Sequence, residues 1–325
     1  SSLALNAMPQ LAIVSSVEVP PEHLAAGHWV SPSPALASAA SAPFAPATAR
    51  SSASSAGFGG AVPSPTMDQL AKEGLRFNRF HTTALCSPTR AALITGRNHH
   101  SAGFASITEV ATGYEGYTGV LPKSCGTVGE VLRQNGYNTA WIGKNHNTPP
   151  WQLSAAGPFD RWANGLGFDY FYGFNAGDMN HWNPILYENA NLVPASDDPN
   201  YHLTEDLADK SIAWVRRMKS ISPDKPFFLY LPLSSPHTPI VPSKEWKGKS
   251  GLGDYADFVM ETDWAVGEVL ASLDKAGVTG NTIVLFTSDN GPTHGRVGGA
   301  HSEFFRSTGG LRGMKGSVHE GGIRV

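Results

Sequence analysis

The apolar run Pro226–Leu233 is the feature that most constrains how this 325-residue chain can fold. A strand that is apolar at every position, with no polar alternation, is typical of a sheet that helices bury on both faces. The run is far too short to cross a bilayer, so it predicts no membrane span. Thr282–Thr287 has the same character, and the intervening segment Asp254–Lys275 carries apolar side chains along one helical stripe. The sequence therefore predicts a strand–helix–strand unit in which the helix covers the sheet.

Strand and helix patterns alternate along the chain from Thr66 onward. The first helix is predicted to begin at Thr66, with Gln69 as its reciprocal capping partner, and to end at Gly74. The next predicted elements are a strand at Leu75–Thr82, a helix at Thr127–Asn135, a strand at Tyr137–Ile142 and a helix at Leu203–Met218. This alternation predicts an α/β fold, a mostly parallel sheet with helices on both faces.

The first part of the chain has a different composition. Residues 1–57 are rich in Ala, Ser and Pro and carry hardly any charge, so they cannot pack a core of their own. They are predicted to be a low-complexity, disordered segment, apart from a short strand at Leu11–Val19 that ends before Pro20-Pro21. Residues 58–325 form the predicted folded domain.

Charge and cysteine content exclude several classes of protein. The chain has 24 basic and 27 acidic residues, which gives no reason to expect nucleic acid as a partner. Its two cysteines, Cys86 and Cys125, do not form a disulfide framework. No basic segment leads into an apolar one near residue 1, so no export signal is visible and the compartment stays open.

Cys86 lies between the predicted strand Leu75–Thr82 and an apolar helical segment. A lone cysteine is most often a buried small hydrophobe. Here, however, Ser87 is predicted to cap the helix and Pro88 suits its first turn, so Cys86 would lie beside free backbone amides that stabilise an anion. Arg90, one turn further on, adds a planar group of donors suited to an oxyanion. These neighbours predict an anion-binding site at Cys86.

Polar residues follow three other predicted strands. They are Lys144 and His146, then His237, then Asp289 and Asn290. Each set has an ordinary explanation: a solvated lysine, a loop histidine and a good turn sequence. In an open α/β sheet, however, ligands bind beyond the carboxyl ends of the strands, so these side chains are expected to meet at one site.

Taken together, the motifs resemble those of the sulfatase family, and of bacterial arylsulfatases in particular. In chain order they are Cys86-x-Pro88-x-Arg90 with Thr95-Gly96-Arg97, Gly143-Lys144-x-His146, Pro236-His237-x-Pro239, Ser288-Asp289-Asn290-Gly291 and Arg312-Gly313-x-Lys315. The resemblance covers Phe58–Val325. It implies an alkaline-phosphatase-like catalytic domain that is incomplete here, because relatives continue beyond Val325 through further strands and a small C-terminal domain.

The resemblance also implies a reaction, the hydrolysis of a sulfate ester on a small molecule or a glycan. A formylglycine-generating enzyme would oxidise Cys86 to Cα-formylglycine; one hydroxyl of its hydrate would attack sulfur, and the other would then collapse to the aldehyde and expel sulfate. Serine could not perform the second step. The implied metal is calcium, with magnesium as the alternative, because oxygen ligands suit both ions.

The same resemblance implies a role for each site residue. Arg90 and Lys144 would hold position 86 and its charge, and His146 would help the covalent intermediate to collapse. His237 and Lys315 would bind the sulfate and protonate the leaving group. The implied metal ligands are position 86, Asp289 and Asn290, and the implied substrate-binding residues are Lys144, His237 and Lys315.

One family element has no counterpart here, the first strand that ends in an Asp-Asp pair of metal ligands. No aspartate precedes Asp68. Two alternatives to an active sulfatase therefore stay open. The first is a truncated, non-catalytic relative that binds sulfated ligands. The second is a phosphate or phosphonate monoester hydrolase of the same superfamily, since some of those enzymes share the Cys-x-Pro-x-Arg motif.

Overall fold

A computed structural model describes residues 8–15, 60–295 and 297–325. Its strands are β1 (Pro9–Ser15), β2 (Asn138–Lys144), β3 (Tyr170–Phe174), β4 (Tyr187–Glu188), β5 (Asn191–Leu192), β6 (Phe227–Pro232) and β7 (Thr282–Ser288). Its helices are α1 (Pro65–Glu73), α2 (Cys86–Thr95), α3 (Val128–Gln134), α4 (Leu203–Ile221), α5 (Asp254–Lys275) and α6 (Glu320–Ile323). No helix in these ranges is long and apolar enough to cross a membrane.

The strands form one sheet in the order β5-β4-β3-β2-β6-β1-β7. Strand β2 is parallel to β3 and β6, while β1 is antiparallel to both β6 and β7. Strands β2, β3, β6 and β7 therefore point the same way, and their carboxyl ends lie along one edge. The predicted α/β fold with a mostly parallel sheet is confirmed, and that edge carries Lys144 and Asp289.

Helices bury the sheet on both faces, as predicted. On one face, apolar residues of α4 and α5, such as Leu207 and Val266, pack with the sheet residues Ile142 and Leu229. On the other face, Ile94 of α2 packs in a cluster with sheet aromatic residues that include Trp141 and Phe171. Strand β6 is buried at every position, as its unbroken apolar run predicts. This burial gives the edge above the strands a rigid support.

The strand predicted at Leu75–Thr82 is wrong. The segment makes one isolated bridge, between His81 and Arg324, and it lies outside the sheet. Leu75 is 88% exposed and Phe77 is 65% exposed. An alternating pattern favours an extended chain, but a strand also needs a partner for its backbone hydrogen bonds. Here most of the segment has no neighbouring strand with which to pair.

Strand β7 differs from the prediction of a strand buried on both faces. It is the last strand in the sheet order, and it pairs with β1. Ile283 and Leu285 on one face are 64% and 55% exposed, whereas Val284 and Phe286 on the other face pack against the core. An apolar run does not reveal whether its strand lies at the centre or the edge of a sheet, because that depends on strand order.

Two helices begin at caps that the sequence analysis did not identify. Thr127 caps α3, its hydroxyl accepting a hydrogen bond of 3.1 Å from the backbone of Glu130. The capping pair proposed for α1 is wrong. The backbone amides of Thr66 and Met67 instead donate to the carboxylate of Asp263 in α5, at 3.0 and 2.9 Å. A side chain from another helix provides this cap, which no local pattern could reveal.

The N-terminal segment contributes strand β1 to the sheet. Strand β1 lies between β6 and β7 and begins at the edge where those strands end. The predicted strand at Leu11–Val19 is therefore found, slightly earlier in the chain. The disorder predicted for the rest of residues 1–57 falls almost entirely outside the described residues, so the boundary between 57 and 58 stays a prediction.

Candidate active site

Cys86 is the first residue of α2, and Leu85 occupies the N-cap position without a side-chain hydrogen bond. The predicted Ser87 cap is wrong, because the helix begins before Ser87 and the buried Ser87 hydroxyl has no hydrogen-bond partner. The amides of the first helical turn remain available, so the start of α2 keeps the positive end of the helix dipole at Cys86. Cys86 itself is only 4% exposed.

Arg90 joins α2 to two strand ends. Its Nε and Nη2 atoms lie 3.3 and 3.1 Å from Oδ2 of Asp289, and its Nη1 lies 3.0 Å from the Lys144 carbonyl oxygen. Both side chains of the Arg90–Asp289 ion pair are almost completely buried. The structure therefore brings together three sites that the sequence predicted at separate strand and helix ends.

Lys144 is fully buried at the end of β2, and its Nζ donates to the carbonyl of Gly177. Burial lowers the pKa of Lys144 to about 8, since the charged form loses its hydration, and the nearby Cys86 thiolate partly opposes that shift. The ammonium group is thus kept close to Cys86 in a site that excludes water.

Position 86 favours negative charge. Burial by itself would raise the pKa of the Cys86 thiol, but the positive charges of Lys144 and Lys315 and a hydrogen bond from His146 outweigh it. The pKa falls to about 5. The same groups would stabilise any anion that forms at this position.

His237 and Lys315 form a hydrogen-bonded pair whose direction is fixed by chemistry. His237 Nδ1 lies 2.7 Å from the carbonyl oxygen of Thr238, which can only accept, so Nδ1 carries the hydrogen. His237 Nε2 therefore accepts from Lys315 Nζ at 3.2 Å. Burial, followed by the charges of Lys144 and Lys315, lowers the pKa of His237 to about 2. The imidazole is neutral, and Lys315 carries the transferable proton.

Glu109 is a site residue that the sequence analysis missed. Its two carboxylate oxygens lie 2.9 and 3.1 Å from His146 Nε2. Burial would raise the pKa of Glu109, but the hydrogen bond and charge of His146 lower it to about 2. Glu109 belongs to a short 3₁₀ turn, Thr108–Val110, that carries no recognisable motif. No signal in the sequence connects it to His146.

His146 and Asn147 hold the chain after β2 in an unusual conformation. His146 has a φ of 61°, a left-handed backbone that costs a non-glycine residue about 1–3 kcal/mol. Asn147, another residue that the sequence analysis missed, is fully buried and donates from Nδ2 to the Ser87 carbonyl at 2.9 Å. This bond ties the loop to the start of α2 and keeps His146 beside Cys86.

The described residues do not complete a calcium or magnesium site. Asp289 already uses both oxygens, Oδ2 with Arg90 and Oδ1 with the backbone amide of Met8 at 3.1 Å. Asn290 is better suited, because its buried Oδ1 has no hydrogen-bond partner while Nδ2 donates to Gly291. Calcium takes about 6–8 oxygen ligands. Within residues 8–15, 60–295 and 297–325, no group of three or more His, Cys, Asp or Glu residues could hold a metal ion.

Comparison with known proteins accounts for this arrangement. The family model described as Sulfatase matches residues 48–325. The chain belongs to the sulfatase family. Among curated relatives of this sulfatase chain, the rat N-acetylgalactosamine-6-sulfatase is 31% identical and aligns with 80% of the chain and 51% of its own length. The N-acetylgalactosamine-6-O-sulfatase of Bacteroides thetaiotaomicron is 28% identical, over 81% of the chain and 62% of its own length.

Solved structures agree with the fold. The crystal structure of Ps i-CgsB superposes on this sulfatase with a TM-score of 0.65 at 26% identity, over 81% of the chain and 59% of its own. Its complex with k-i-k-neocarrahexaose gives a TM-score of 0.64 at the same identity, over 80% and 58%. The sulfatase chain thus spans between about half and two thirds of the length of the proteins it matches.

Proposed function

We propose that this chain hydrolyses sulfate esters as an arylsulfatase-type enzyme, through a formylglycine formed at Cys86. The observation that carries the proposal is the buried start of α2, where Lys144 and Lys315 lower the pKa of the thiol to about 5. A sulfate ester is an anion whose reaction develops further negative charge on oxygen, and buried cations stabilise such charge strongly. The proposed catalytic domain comprises residues 58–325.

The hydrate of formylglycine would supply two hydroxyls, one as the nucleophile toward sulfur and one for the later release of sulfate. The side chains around it have separate tasks. Arg90 fixes the position of Asp289 and the end of β2 through three hydrogen bonds, and Lys144 stabilises negative charge at position 86. His146 is the proposed base at position 86, and Glu109 holds its ring. A base held in this way loses less entropy in the reaction.

We assign protonation of the leaving group to Lys315. The resemblance left this role to Lys315 or His237, but the neutral His237 ring already donates Nδ1–H to Thr238 and accepts at Nε2. It has no proton left for the leaving oxygen. Lys315 bears protons on Nζ and lies in the same pocket, while His237 orients that amine and lines the sulfate site.

The proposed metal is calcium, or magnesium as the alternative, with Asp289, Asn290 and the modified position 86 among its ligands. The unpartnered Oδ1 of Asn290 supports this proposal. Asp289 Oδ1 accepts one hydrogen bond, from the Met8 amide, and keeps a lone pair for a cation, whereas Oδ2 accepts two from Arg90. The other ligands would come from the sulfate group or from water.

The proposed substrate is a small-molecule or glycan sulfate ester, and the proposed maturation partner is a formylglycine-generating enzyme. Glycan sulfates are included because the names of two relatives specify N-acetylgalactosamine sulfate groups. Human arylsulfatase H is a further relative, 27% identical over 81% of the chain. Its name supports aryl sulfate esters as a proposed class of substrate.

A non-catalytic sulfate-binding protein is the second candidate. One observation favours it: the Asp289 carboxylate already accepts three hydrogen bonds from Arg90 and Met8, which leaves it little capacity to bind a metal ion. In this alternative the positive groups bind a sulfate ester without cleaving it.

Mass spectrometry and a turnover assay test the proposal together. The chain is co-expressed with a formylglycine-generating enzyme, and the peptide that contains Cys86 is analysed for conversion. Turnover of 4-nitrophenyl sulfate and 4-nitrophenyl phosphate is then measured with calcium, with magnesium and with a chelator, using Cys86→Ser as the control. We expect conversion and sulfate turnover that the control lacks.

Each other outcome has a definite meaning. An unmodified thiol, or converted protein without turnover, overturns the proposed activity and supports the non-catalytic candidate. Faster cleavage of the phosphate ester indicates a phosphate monoester hydrolase. Turnover that a chelator leaves unchanged removes the proposed metal but keeps the reaction.

A further inference from the structure

A fully buried pair of ionisable side chains lies outside the site described above. Nδ1 of His202 is 2.6 Å from Oε1 of Glu261, and neither side chain is exposed to solvent. His202 occupies the N-cap position of α4, and Glu261 lies within α5. Burying a carboxylate is unfavourable unless it is paired, and an apolar side chain would fill the same space without that cost. The proposed reaction gives neither residue a role.

The contacts of His202 show that the pair shares a proton. Nε2 of the ring lies 2.9 Å from the carbonyl oxygen of Val241, which can only accept, so Nε2 carries a hydrogen. If both Nδ1 and the carboxyl group of Glu261 lacked a proton, their lone pairs would repel each other at 2.6 Å. The pair therefore holds one further proton, on the ring or on the carboxyl group, and the two side chains act as a unit.

This unit binds the backbone of a long irregular segment. Residues 233–253, here called the β6–α5 loop, connect those two elements without a helix or strand. His202 donates to the carbonyl of Val241, and Oε2 of Glu261 accepts from the amide of Ser243 at 2.9 Å. Because buried backbone groups need hydrogen-bond partners, these two contacts determine where this part of the loop lies.

The same loop carries His237, four residues before Val241. His237 accepts from Lys315 Nζ through Nε2 and donates through Nδ1 to Thr238 in its own loop. A shift of the loop would therefore move the ring that orients the Lys315 amine. Misplacing a reacting group by about 1 Å can slow catalysis by about 100-fold.

We propose that His202 and Glu261 are positioning residues of the site. They touch no reacting group; they fix the β6–α5 loop so that His237 holds the Lys315 amine toward the sulfate ester. The proposal rests on the proposed sulfatase function. The coupling to His237 that it requires applies equally to the binding of sulfate, so it can be tested without turnover.

A double-mutant cycle with His237 distinguishes positioning from general stabilisation. Glu261→Met, which replaces the carboxylate by an apolar side chain, is made in the wild type and in His237→Gln, and kcat/KM for 4-nitrophenyl sulfate is measured. We expect a loss of about 10- to 100-fold in the wild type. In His237→Gln the loss should be below about 3-fold, because the effect passes through His237. Equal losses in the two backgrounds would overturn the proposal.

Asp257 provides the matched control. It is 1% exposed and lies one turn before Glu261 in α5, and its carboxylate accepts from the amides of Gly248 and Ser250, each at 2.7 Å. These amides belong to the other half of the β6–α5 loop. Asp257→Leu should lower the urea midpoint of unfolding as Glu261→Met does, but its effect on kcat/KM should be the same with and without His237. A dependence on His237 as strong as that of Glu261→Met would contradict a specific role for the pair.

Two further variants complete the test. His202→Phe keeps a ring beside Trp182 but loses both polar contacts, and it should repeat the result of Glu261→Met, so the cycle does not depend on the folding of one variant. Glu261→Gln can accept from Ser243 and donate to a neutral His202 ring in place of the shared proton. It should retain kcat/KM within about 3-fold of wild type. A loss of 10-fold or more, equal in both His237 backgrounds, would count against the proposal.

Calorimetric binding of inorganic sulfate to the same variants separates this proposal from the proposed function. We expect Glu261→Met to weaken sulfate binding by about 3-fold or more in the wild type, and by less in His237→Gln. That coupling without turnover removes the catalytic proposal and supports the positioning role. Turnover without coupling does the reverse. If the chain neither binds sulfate nor cleaves the ester, both proposals are wrong.

Discussion

The side chains around position 86 carry an uneven charge, with three cations and one carboxylate close to it. Arg90 is paired with Asp289, whereas no carboxylate among the described residues forms an ion pair with Lys144 or Lys315, whose positive charges act on Cys86. His237 contributes no charge, since its pKa is about 2. Lys144 and Lys315 therefore contribute positive charge that no described carboxylate pairs with, and each can be removed separately.

Lys315→Ala should slow the hydrolysis of an ester more strongly when its leaving group depends more on protonation. General acid catalysis contributes about 10²- to 10⁴-fold, and a 4-nitrophenolate needs it least. We expect kcat/KM to fall by about 100-fold or more with phenyl sulfate. With 4-nitrophenyl sulfate the fall should be smaller by a factor of about 10 or more. His237→Gln is the comparison, and it should affect both esters to a similar extent. Equal losses for Lys315→Ala on the two esters would assign the proton to another group.

Glu109→Gln should lower the stability of the protein near neutral pH, and the difference from wild type should disappear in acid. Glu109 has its pKa lowered from 4.5 to about 2 in the folded protein, so the folded state binds fewer protons than the unfolded chain between these values. Its contribution is complete above about pH 4.5 and is lost as the pH falls toward 2. The side chain is 49% exposed, so solvent screening limits the effect to about 1 kcal/mol or less.

Urea unfolding between pH 7 and pH 3 measures this contribution. Glu115→Gln, in an exposed turn, is the matched control and should show no such pH dependence. A difference between Glu109→Gln and wild type that persists unchanged at pH 3 would mean that the carboxylate charge is not responsible.

At the scale of secondary structure elements, contacts between elements decide where helices begin and what strands adjoin. Strand β1 separates β6 from β7, and its first residues lie beside Asp289. Helix α1 starts against the Asp263 carboxylate of α5 instead of a capping residue of its own. Both arrangements depend on residues far apart in sequence.

Asp263→Ala should destabilise the protein through the start of α1. Asp263 is 2% exposed, and its carboxylate accepts hydrogen bonds from two backbone amides. Leaving a buried donor without an acceptor lowers the free energy of unfolding by about 1–3 kcal/mol. Asp263→Asn keeps one acceptor oxygen and should cost less. Denaturant unfolding measures both variants. A loss for Asp263→Asn as large as that for Asp263→Ala would show that charge, and not the hydrogen bonds, stabilises the helix start.

On the scale of the whole molecule, the charge of the site is opposite in sign to the net charge of the chain. The net charge is −3 at pH 7, yet the site concentrates cations at the carboxyl ends of the strands. In the unmodified protein the Cys86 thiolate neutralises part of that charge. Removal of the thiolate should therefore free the lysines to bind another anion.

Cys86→Ala should bind inorganic sulfate more tightly than the unmodified wild type at pH 7. Two like charges at close range repel by several kcal/mol at an effective dielectric constant of about 20, so the expected gain exceeds about 10-fold. The binding should weaken as the pH rises and Lys144 loses its proton. Because Cys86→Ala lacks the thiolate that raises the pKa of Lys144, this loss should begin at a lower pH than the wild-type pKa of about 8 implies. Thermal shifts in sodium sulfate and in sodium chloride of matched ionic strength provide the measurement, with Lys315→Ala as a weaker-binding control. Equal sulfate affinity of Cys86→Ala and wild type would contradict a thiolate at position 86.

Much of the site could be predicted because its motifs follow strands whose ends the sheet brings together. Lys144 and Asp289 each follow an apolar run, and parallel strands place such positions at one edge. Cys86 and Arg90 are one helical turn apart, so their proximity is local. Glu109 and Asn147 could not be found in this way, since nothing in their immediate sequence connects them to His146 or Ser87.

The sequence alone determined the periodicities, and therefore the buried strand β6, the helix α5 and the order of the motifs along the chain. It could not determine strand order, because an apolar run has the same composition at the centre and at the edge of a sheet. For that reason β7 differs from prediction, and so does the Leu75–Thr82 segment, which makes one isolated bridge outside the sheet. Only the tertiary structure placed β1 against Asp289 and fixed the direction of the hydrogen bond between Lys315 and His237. Those contacts depend on where distant backbones meet, and local propensity carries no information about that.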